Sequence, residues 1–157
     1  MGVPVKLKSK AHVYRYSSDL ETACTTLQGR LSSGCKYTKI TCKKGYASAI
    51  TGDELFCSGD KVAWLVGHGD KGNLRIGTKT HSAYLDFTTI MDYLVRKGFK
   101  VVVDTCCEPQ TRKSEFKKTY KGQVRYFCAP DTHTVTCNED HLSLDDWWDH
   151  NQMAEVT

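Results

Sequence analysis

The sequence lacks the long apolar runs that would place it in or across a membrane. None approaches the roughly 20 residues that a membrane-spanning helix requires. Residues 1–10 are short and basic, without the apolar stretch of a signal peptide. We therefore expect a cytoplasmic protein with no membrane partner.

Metal-binding and nucleic-acid-binding patterns are also missing. The eight cysteines include no C-x-x-C pair, and the histidines show no i, i+4 spacing. We expect no metal, no cofactor and thiols that stay reduced. The net charge is only +4, and the basic residues are scattered apart from a run at 112–121, so we expect no nucleic-acid partner.

The length and composition favour one globular domain. The 157 residues are 39% hydrophobic and 25% charged, which is ordinary for a chain that buries its own core. We assign 1–157 to a single domain, with 1–10 as a short N-terminal extension.

Strand-like and helix-like segments alternate along the chain. Predicted strands cover 13–16, 36–42, 62–66, 99–103 and 123–128. Three helices are predicted: from a Ser18/Glu21 capping box to Gly34, from Asp86 to Gly98, and over 142–153 with Ser143 as N-cap. A short helix is also predicted near 47–56. The basic segment at 108–122 is predicted to be a loop. This order predicts an α/β three-layer sandwich, with a mostly parallel sheet of about five to six strands and helices on both faces.

Two residues with nucleophile and base chemistry follow the most apolar predicted strands. His68 comes after 62–66, and Cys106 comes after 99–103. Because chemistry in such sheets gathers beyond the carboxyl ends of the strands, neighbouring strands would bring the two side chains together. A thiol attacks a carbonyl as the thiolate, and an adjacent imidazole favours that form.

The residues around this pair resemble a known family. The stretch 64–77, Trp-Leu-Val-Gly-His-Gly-Asp-Lys-Gly-Asn-Leu-Arg-Ile-Gly, resembles the His-Gly segment of caspases, in which a short hairpin ending in Gly follows the catalytic His. Val-Asp-Thr-Cys-Cys at 103–107 resembles the Asp-Ser-Cys or Asp-Cys-Cys strand end of metacaspases. The predicted helix from Asp86 lies between them, as it does in the family, so the chain resembles caspase-like cysteine peptidases over positions 60–107.

The resemblance implies a fold and a set of roles. The fold would be that of the caspase-hemoglobinase group, with His68 as general base or acid, Cys106 as nucleophile and a protein or peptide as substrate. The N–H groups of Gly69 and Cys106 would stabilise the oxyanion of the acyl intermediate. Cys107 remains the alternative nucleophile, and whether the chain forms a homodimer stays open.

Two residues compete to set substrate preference. Asp131, within a segment that resembles the Asp-containing segment of metacaspases, would favour Arg or Lys before the scissile bond through a charge-assisted pair. Arg15 lies at the end of the first strand, where caspases carry an Arg that selects Asp. The sequence favours the basic preference by a small margin.

Two other functions remain as alternatives. Glu108-Pro109 stands where the family has a Gly soon after the Cys, and this pair could cover a dead dyad and leave an inactive binding or decoy module. The segment from Cys106 to Arg112 also fits the C-x5-R phosphate loop of cysteine phosphatases.

Overall fold

A six-stranded, mostly parallel sheet forms the centre of the computed structural model, which describes residues 2–31, 35–40, 61–77, 82–137 and 141–157. Its strands are β1 (Ala11–Arg15), β2 (Lys36–Lys39), β3 (Val62–Val66), β7 (Val101–Asp104), β8 (Arg125–Cys128) and β9 (Ala154–Glu155). They lie in the order β2-β1-β3-β7-β8-β9. Only β9 runs antiparallel to its neighbour.

A second, three-stranded antiparallel sheet projects from the carboxyl end of β3. It contains β4 (His68–Asp70), β5 (Asn73–Gly77) and β6 (Ser82–Asp86). The β4–β5 hairpin pairs His68 with Arg75. The Ser17 hydroxyl donates to the Arg75 carbonyl at 2.8 Å, and the Gly77 N–H donates to the Tyr16 carbonyl at 2.9 Å, so the hairpin is fixed to the end of β1.

Helices cover both faces of the main sheet. The helices α1 (Glu21–Arg30) and α4 (Leu144–His150) pack on one face, and α2 (Phe87–Arg96) with α3 (Gln110–Glu115) covers the other. A π-helical turn, Phe116–Tyr120, continues α3. The predicted α/β sandwich with a mostly parallel sheet and helices on both faces is therefore confirmed.

The alternation of side chains along each strand separates the two cores. In β3, Ala63 and Leu65 pack beneath α2, whereas Trp64 and Val66 pack beneath α1 and α4. Such buried strands read as continuous apolar runs because both of their faces are covered. The same alternation of side chains between the two faces continues past the ends of the strands.

The N-terminal residues pack onto this architecture. Val3 and Leu7 are buried, and the indole N–H of Trp64 donates to the Leu7 carbonyl at 2.9 Å. The Val3 N–H donates to Asp145 at 2.9 Å, which ties the start of the chain to α4. The short extension predicted over 1–10 thus contributes to the core beneath α4.

Local predictions differ in outcome. Asp86 precedes α2, Gly98 follows it with φ +88°, and the Ser143 hydroxyl accepts from the Asp146 N–H at 3.1 Å, as expected. The Ser18/Glu21 capping box is wrong: a 3₁₀ turn, Ser18–Leu20, precedes α1, and Glu21 accepts hydrogen bonds from Arg15 and Tyr37 instead.

The basic segment at 108–122 is not a loop. It contains α3 and the π-helical turn, because Phe116 and Tyr120 pack into the core beneath α2. Periodicity predicts none of β4, β6 and β9: β4 and β9 have only three and two residues, and β6 runs directly into α2. The predicted helix near 47–56 and the helix stop at Gly34 lie outside the described residues.

A buried ion pair joins the end of β7 to α3. Arg112 and Asp104 are both fully buried, with Arg112 Nε 2.6 Å from Asp104 Oδ2 and a second contact of 3.3 Å. The same guanidinium donates to the carbonyls of Lys71, Cys106 and Cys107 at 2.9, 3.2 and 3.0 Å. Burial alone would lower the pKa of Arg112, but the carboxylate of Asp104 raises it, so the side chain stays charged.

We expect Arg112→Met to lower the free energy of unfolding by about 3–5 kcal/mol, because it leaves the Asp104 carboxylate buried without a partner. The matched control is Arg125→Met, which removes an exposed ion pair to Glu155 and should cost no more than about 1 kcal/mol. Urea denaturation of both variants measures the difference. Equal losses would contradict the central role of the buried pair.

Candidate active site

A small cavity opens at the carboxyl ends of β1, β3 and β7. Its volume is about 150 Å³. The lining residues come from the start of α1, the end of β3, the turn after β7 and the segment after β8: Leu20, Ala23, Val66, Gly67, His68, Thr105, Cys107, Val135, Thr136 and Cys137. An imidazole and two thiols therefore share one enclosure, as the topology of such sheets favours.

His68 is held by a carboxylate. Its Nε2 lies 2.8 Å from Asp19 Oδ2, and the two side chains are 43% and 42% exposed, so both are open to solvent. Arg75, the partner of His68 across the hairpin, places Nη2 3.7 Å from the other oxygen of Asp19. Burial raises the pKa of Asp19, but the hydrogen bond and charge of His68, together with Arg75, outweigh this and lower it overall.

Cys106, the nucleophile that the sequence favours, lies in the core. Its side chain is fully buried, with Sγ 3.8 Å from the Leu65 carbonyl. Burial, followed by the nearby Asp104 carboxylate, raises the pKa of this thiol well above its ordinary value. A neutral, enclosed thiol is a poor nucleophile because the thiolate is the reacting form.

Cys107 lines the cavity instead. Its thiol is partly buried and lies beside Val135, whose N–H donates to Sγ at 3.3 Å. The odd-numbered residues Val103, Thr105 and Cys107 face the α1 and α4 side, whereas Asp104 and Cys106 face the other core. The structure therefore places His68 and Cys107 on the lining of one cavity, whereas Cys106 lies in the opposite core.

The backbone of the hairpin touches the turn that carries the two cysteines. A Cβ added at Gly69 would collide with the Cys107 carbonyl oxygen and lie 2.7 Å from Arg112 Nη1. Only glycine allows this approach, so Gly69 sets the distance between the His68 strand and the Cys107 turn.

The expected oxyanion donors are only partly placed as predicted. The Cys106 N–H donates to Asp104 Oδ1 at 2.9 Å and is therefore already used. Within the described residues, no hydrogen bond occupies the Cys107 N–H. Of the two cysteine N–H groups, that of Cys107 is therefore the one that this role can use, and Gly69 lies beside the same turn.

The residue after Cys107 adopts an unusual conformation. Glu108 has φ +51°, a left-handed backbone that few residues other than glycine adopt. Its N–H donates to the His133 carbonyl at 3.0 Å, which holds the turn in place. Neither Glu108 nor Pro109 is among the residues that line the cavity, so this pair does not cover it.

The two predicted specificity residues lie outside the cavity. Asp131 forms an ion pair with Lys113 at 2.6 Å and borders a separate surface depression with Lys71 and Thr111. Arg15 is mostly buried and pairs with Glu21. Both charges are thus satisfied by other side chains of the protein.

The C-x5-R segment does not form a phosphate cradle. The Arg112 guanidinium is fully buried against Asp104 and backbone carbonyls. The N–H groups of Cys106, Glu108 and Gln110 donate to oxygens of the protein itself. A phosphate loop needs these donors free and aimed at the ligand, so this arrangement does not favour phosphatase chemistry.

Larger cavities lie elsewhere and offer no comparable pair of groups. One of about 310 Å³ includes Cys128, but burial, followed by Asp104, raises the pKa of that thiol to about 12, and no histidine lines the cavity among its described residues. Another, of about 520 Å³, lies near Phe116 and is lined by neither cysteine nor histidine in the described part of the chain.

Sequence reasoning missed Asp19 and preferred the wrong side of the 103–107 turn for the cavity. Asp19 gave no signal of its own, because its pairing with His68 depends on how the hairpin folds back over β1. The side on which Cys107 lies could have been predicted. Residues two apart in an extended segment share a face, so Cys107 lies on the same face as Val103, and Cys106 lies on the same face as Val102.

Comparisons with known proteins add no identification: no family model matches the chain, and no curated protein matches it. Among the described residues, no helix is long and apolar enough to cross a membrane, and no group of three or more potential metal ligands forms.

We expect iodoacetamide at pH 8 to modify Cys107 before the three buried cysteines. Burial raises the pKa of the Cys106 thiol well above its usual range. Burial is also the largest cause that raises the pKa of Cys24 and Cys128 to about 12. These three thiols therefore stay protonated and enclosed. Peptide mass spectrometry at partial modification gives the order. Modification of Cys106 ahead of Cys107 would be incompatible with this geometry.

Proposed function

We propose that the protein is a cysteine endopeptidase that uses His68 and Cys107 for acyl transfer. The observation that carries the proposal is the shared cavity: the two side chains come from different strand ends and line one opening at the carboxyl edge of the sheet. A nucleophile and a base on the lining of one accessible cavity, with the base oriented by a third group, are the components that covalent catalysis requires.

Acylation would begin with the Cys107 thiolate. Its sulfur attacks the carbonyl carbon of the scissile peptide bond, forming the S–C bond and a tetrahedral oxyanion beside the N–H groups of Gly69 and Cys107. The C–N bond then breaks, and His68 gives a proton to the departing amine. The products of this half are a free amine and a thioester on Cys107.

Water completes the cycle. It attacks the thioester while His68 accepts its proton, the S–C bond breaks, and a carboxylate leaves. The proton returns to the Cys107–His68 pair, so the enzyme ends unchanged. Because Nε2 of His68 is bonded to Asp19, Nδ1 is the nitrogen left for these transfers. A cytoplasmic location would suit this chemistry, since thiols stay reduced there.

The resemblance to caspase-like peptidases gives independent support. A short hairpin, β4–β5, follows His68 and ends at Gly77, and α2 lies between the His and Cys segments along the chain. These are features that the family resemblance implies around its catalytic pair. The departure is the cysteine itself, because the resemblance favours Cys106 and the cavity favours Cys107.

The burial of Cys106 would suit the decoy alternative, but the covering that this alternative requires is absent from the described lining of the cavity. The alternative requires Glu108-Pro109 to cover the dyad, yet neither residue lines the cavity. His68 is 43% exposed at the rim, so a peptide can approach it. We therefore carry forward the peptidase proposal alone.

We expect Cys107→Ala to abolish covalent labelling by peptidyl acyloxymethyl ketones, and Cys106→Ala to leave the labelling rate within about 3-fold of the unaltered protein. His68→Ala should slow labelling by about 100-fold or more because it removes the base. Intact-protein and peptide mass spectrometry identify the modified thiol. Labelling that persists in Cys107→Ala and disappears in Cys106→Ala would return the nucleophile to the position that the sequence favours.

Asp19 should act as a positioning residue for His68. We expect Asp19→Asn to lower the turnover rate kcat by about 10- to 100-fold on any cleaved peptide while KM changes little, because the imidazole loses its anchoring carboxylate but the substrate pocket is retained. The control is Asp70→Asn, an exposed carboxylate on the same short strand as His68. A change confined to KM, or equal effects of the two variants, would remove Asp19 from the mechanism.

A further inference from the structure

We infer that the cavity beside His68 and Cys107 binds an uncharged, apolar side chain of the substrate residue immediately before the scissile bond. This inference rests on the proposed peptidase function and specifies its substrate class. It replaces the preference for a basic residue that Asp131 suggested and the preference for an acidic one that Arg15 suggested.

The position of the cavity follows from the chemistry of the thioester. In that intermediate the carbonyl carbon is bonded to Cys107 Sγ, and the next atom is the Cα of the residue before the scissile bond. The side chain of that residue therefore starts within a few bonds of the sulfur. A cavity that Cys107 itself lines is the enclosure into which such a side chain extends.

Four of the ten residues that line the cavity carry aliphatic side chains. Leu20 and Ala23 from the start of α1, Val66 from the end of β3 and Val135 from the segment after β8 are all buried. Burial of an apolar substrate group against such walls is favourable in proportion to the area removed from water.

The hydroxyl groups of the two lining threonines are bonded within the protein. The Thr105 hydroxyl donates to the Leu65 carbonyl at 2.8 Å, and the hydroxyl of Thr136 accepts from Asn151 Nδ2 at 3.0 Å. The sulfur of Cys107 receives the Val135 N–H. The Thr105 hydroxyl proton is therefore already used, which weakens the cavity as a site for polar side chains.

No carboxylate, lysine or arginine that the structure describes lines the cavity. Asp19, beside the cavity, is bonded to His68, and the two residues that the sequence suggests for charge recognition form ion pairs with Lys113 and Glu21. A guanidinium, ammonium or carboxylate placed in this enclosure would lose water without gaining a partner, and proteins avoid that arrangement.

The size of the cavity matches one side chain. Small-molecule sites usually measure about 300–1,000 Å³, whereas this one measures about 150 Å³. The space is therefore too small for a larger ligand and suits a single side chain. Leucine and methionine side chains, with four non-hydrogen atoms each, have a suitable size and character.

The test is a panel of peptidyl acyloxymethyl ketones that differ only in the residue next to the reactive group: Gly, Ala, Leu, Arg, Lys or Asp. We expect the Leu probe to label Cys107 of the unaltered protein at least about 10-fold faster than the Arg, Lys and Asp probes. Site identification by mass spectrometry accompanies each rate.

The outcomes separate the pocket from the catalytic proposal. His68-dependent labelling of Cys107 that is fastest with Arg, Lys or Asp would leave the peptidase standing and overturn the apolar pocket. Failure of every probe to label Cys107 would overturn both. Equal rates for Gly and Leu would also overturn the pocket, because a filled cavity must distinguish them.

A variant that fills the cavity provides a second measurement. Ala23→Leu adds bulk at the wall formed by α1, and we expect it to slow the Leu probe by about 10-fold or more while the Gly probe changes by less than about 3-fold. The matched control is Thr22→Leu, which adds the same side chain at an exposed position of α1 and should change neither rate. An equal slowing of both probes by Ala23→Leu, without loss of folding by circular dichroism, would contradict the pocket assignment.

Discussion

The buried contact between Asp104 and Arg112 is the constraint on which the site depends. One guanidinium, with no exposure to solvent, binds the carboxylate at the end of β7 and three backbone carbonyls. Two of those carbonyls belong to Cys106 and Cys107, and the third belongs to Lys71 in the turn of the β4–β5 hairpin. A single side chain thus fixes the cysteine turn and the hairpin that begins with His68 relative to each other. A charge so placed is costly to bury, and the five donors of arginine are what allow it to be satisfied there.

The alternation of the sheet then decides the chemistry of neighbouring cysteines. Cys106 shares a face with Asp104 and enters the core beneath α2, where burial raises the pKa of its thiol. Cys107 shares a face with Thr105 and reaches the cavity at the start of α1. Cys106 therefore packs in the core, whereas Cys107 is the candidate nucleophile. The difference follows from the face of the sheet on which each side chain lies.

Specificity and catalysis share the same small space in this proposal. The imidazole is held from one side by Asp19, on the 3₁₀ turn after β1, and the wall of the cavity continues from that turn into α1. The element that orients the base therefore also shapes the pocket. Arg15 and Asp131 form ion pairs with Glu21 and Lys113. In this proposal, shape and apolar contact therefore select the peptide.

The sequence by itself determined the layered α/β architecture and the strand ends that carry chemistry. Apolar runs of five residues, a helical stripe between Asp86 and Gly98 and an N-cap at Ser143 are local patterns, and local patterns specify local structure. They also placed His68 and the two cysteines beyond buried strands, where the candidate site lies.

Only the tertiary structure decided which groups meet. Asp19 contacts His68 because the hairpin folds back over β1. Arg112, predicted to lie in a surface loop, is buried because it pairs with Asp104. Cys107 faces the cavity because these contacts fix the turn after β7. Each of these contacts joins residues distant in the chain or depends on a partner that is. Such pairings arise from packing among elements. The alternation along β7 indicates which side chains share a face with Cys107, but no pattern within one element shows which distant residues lie opposite them.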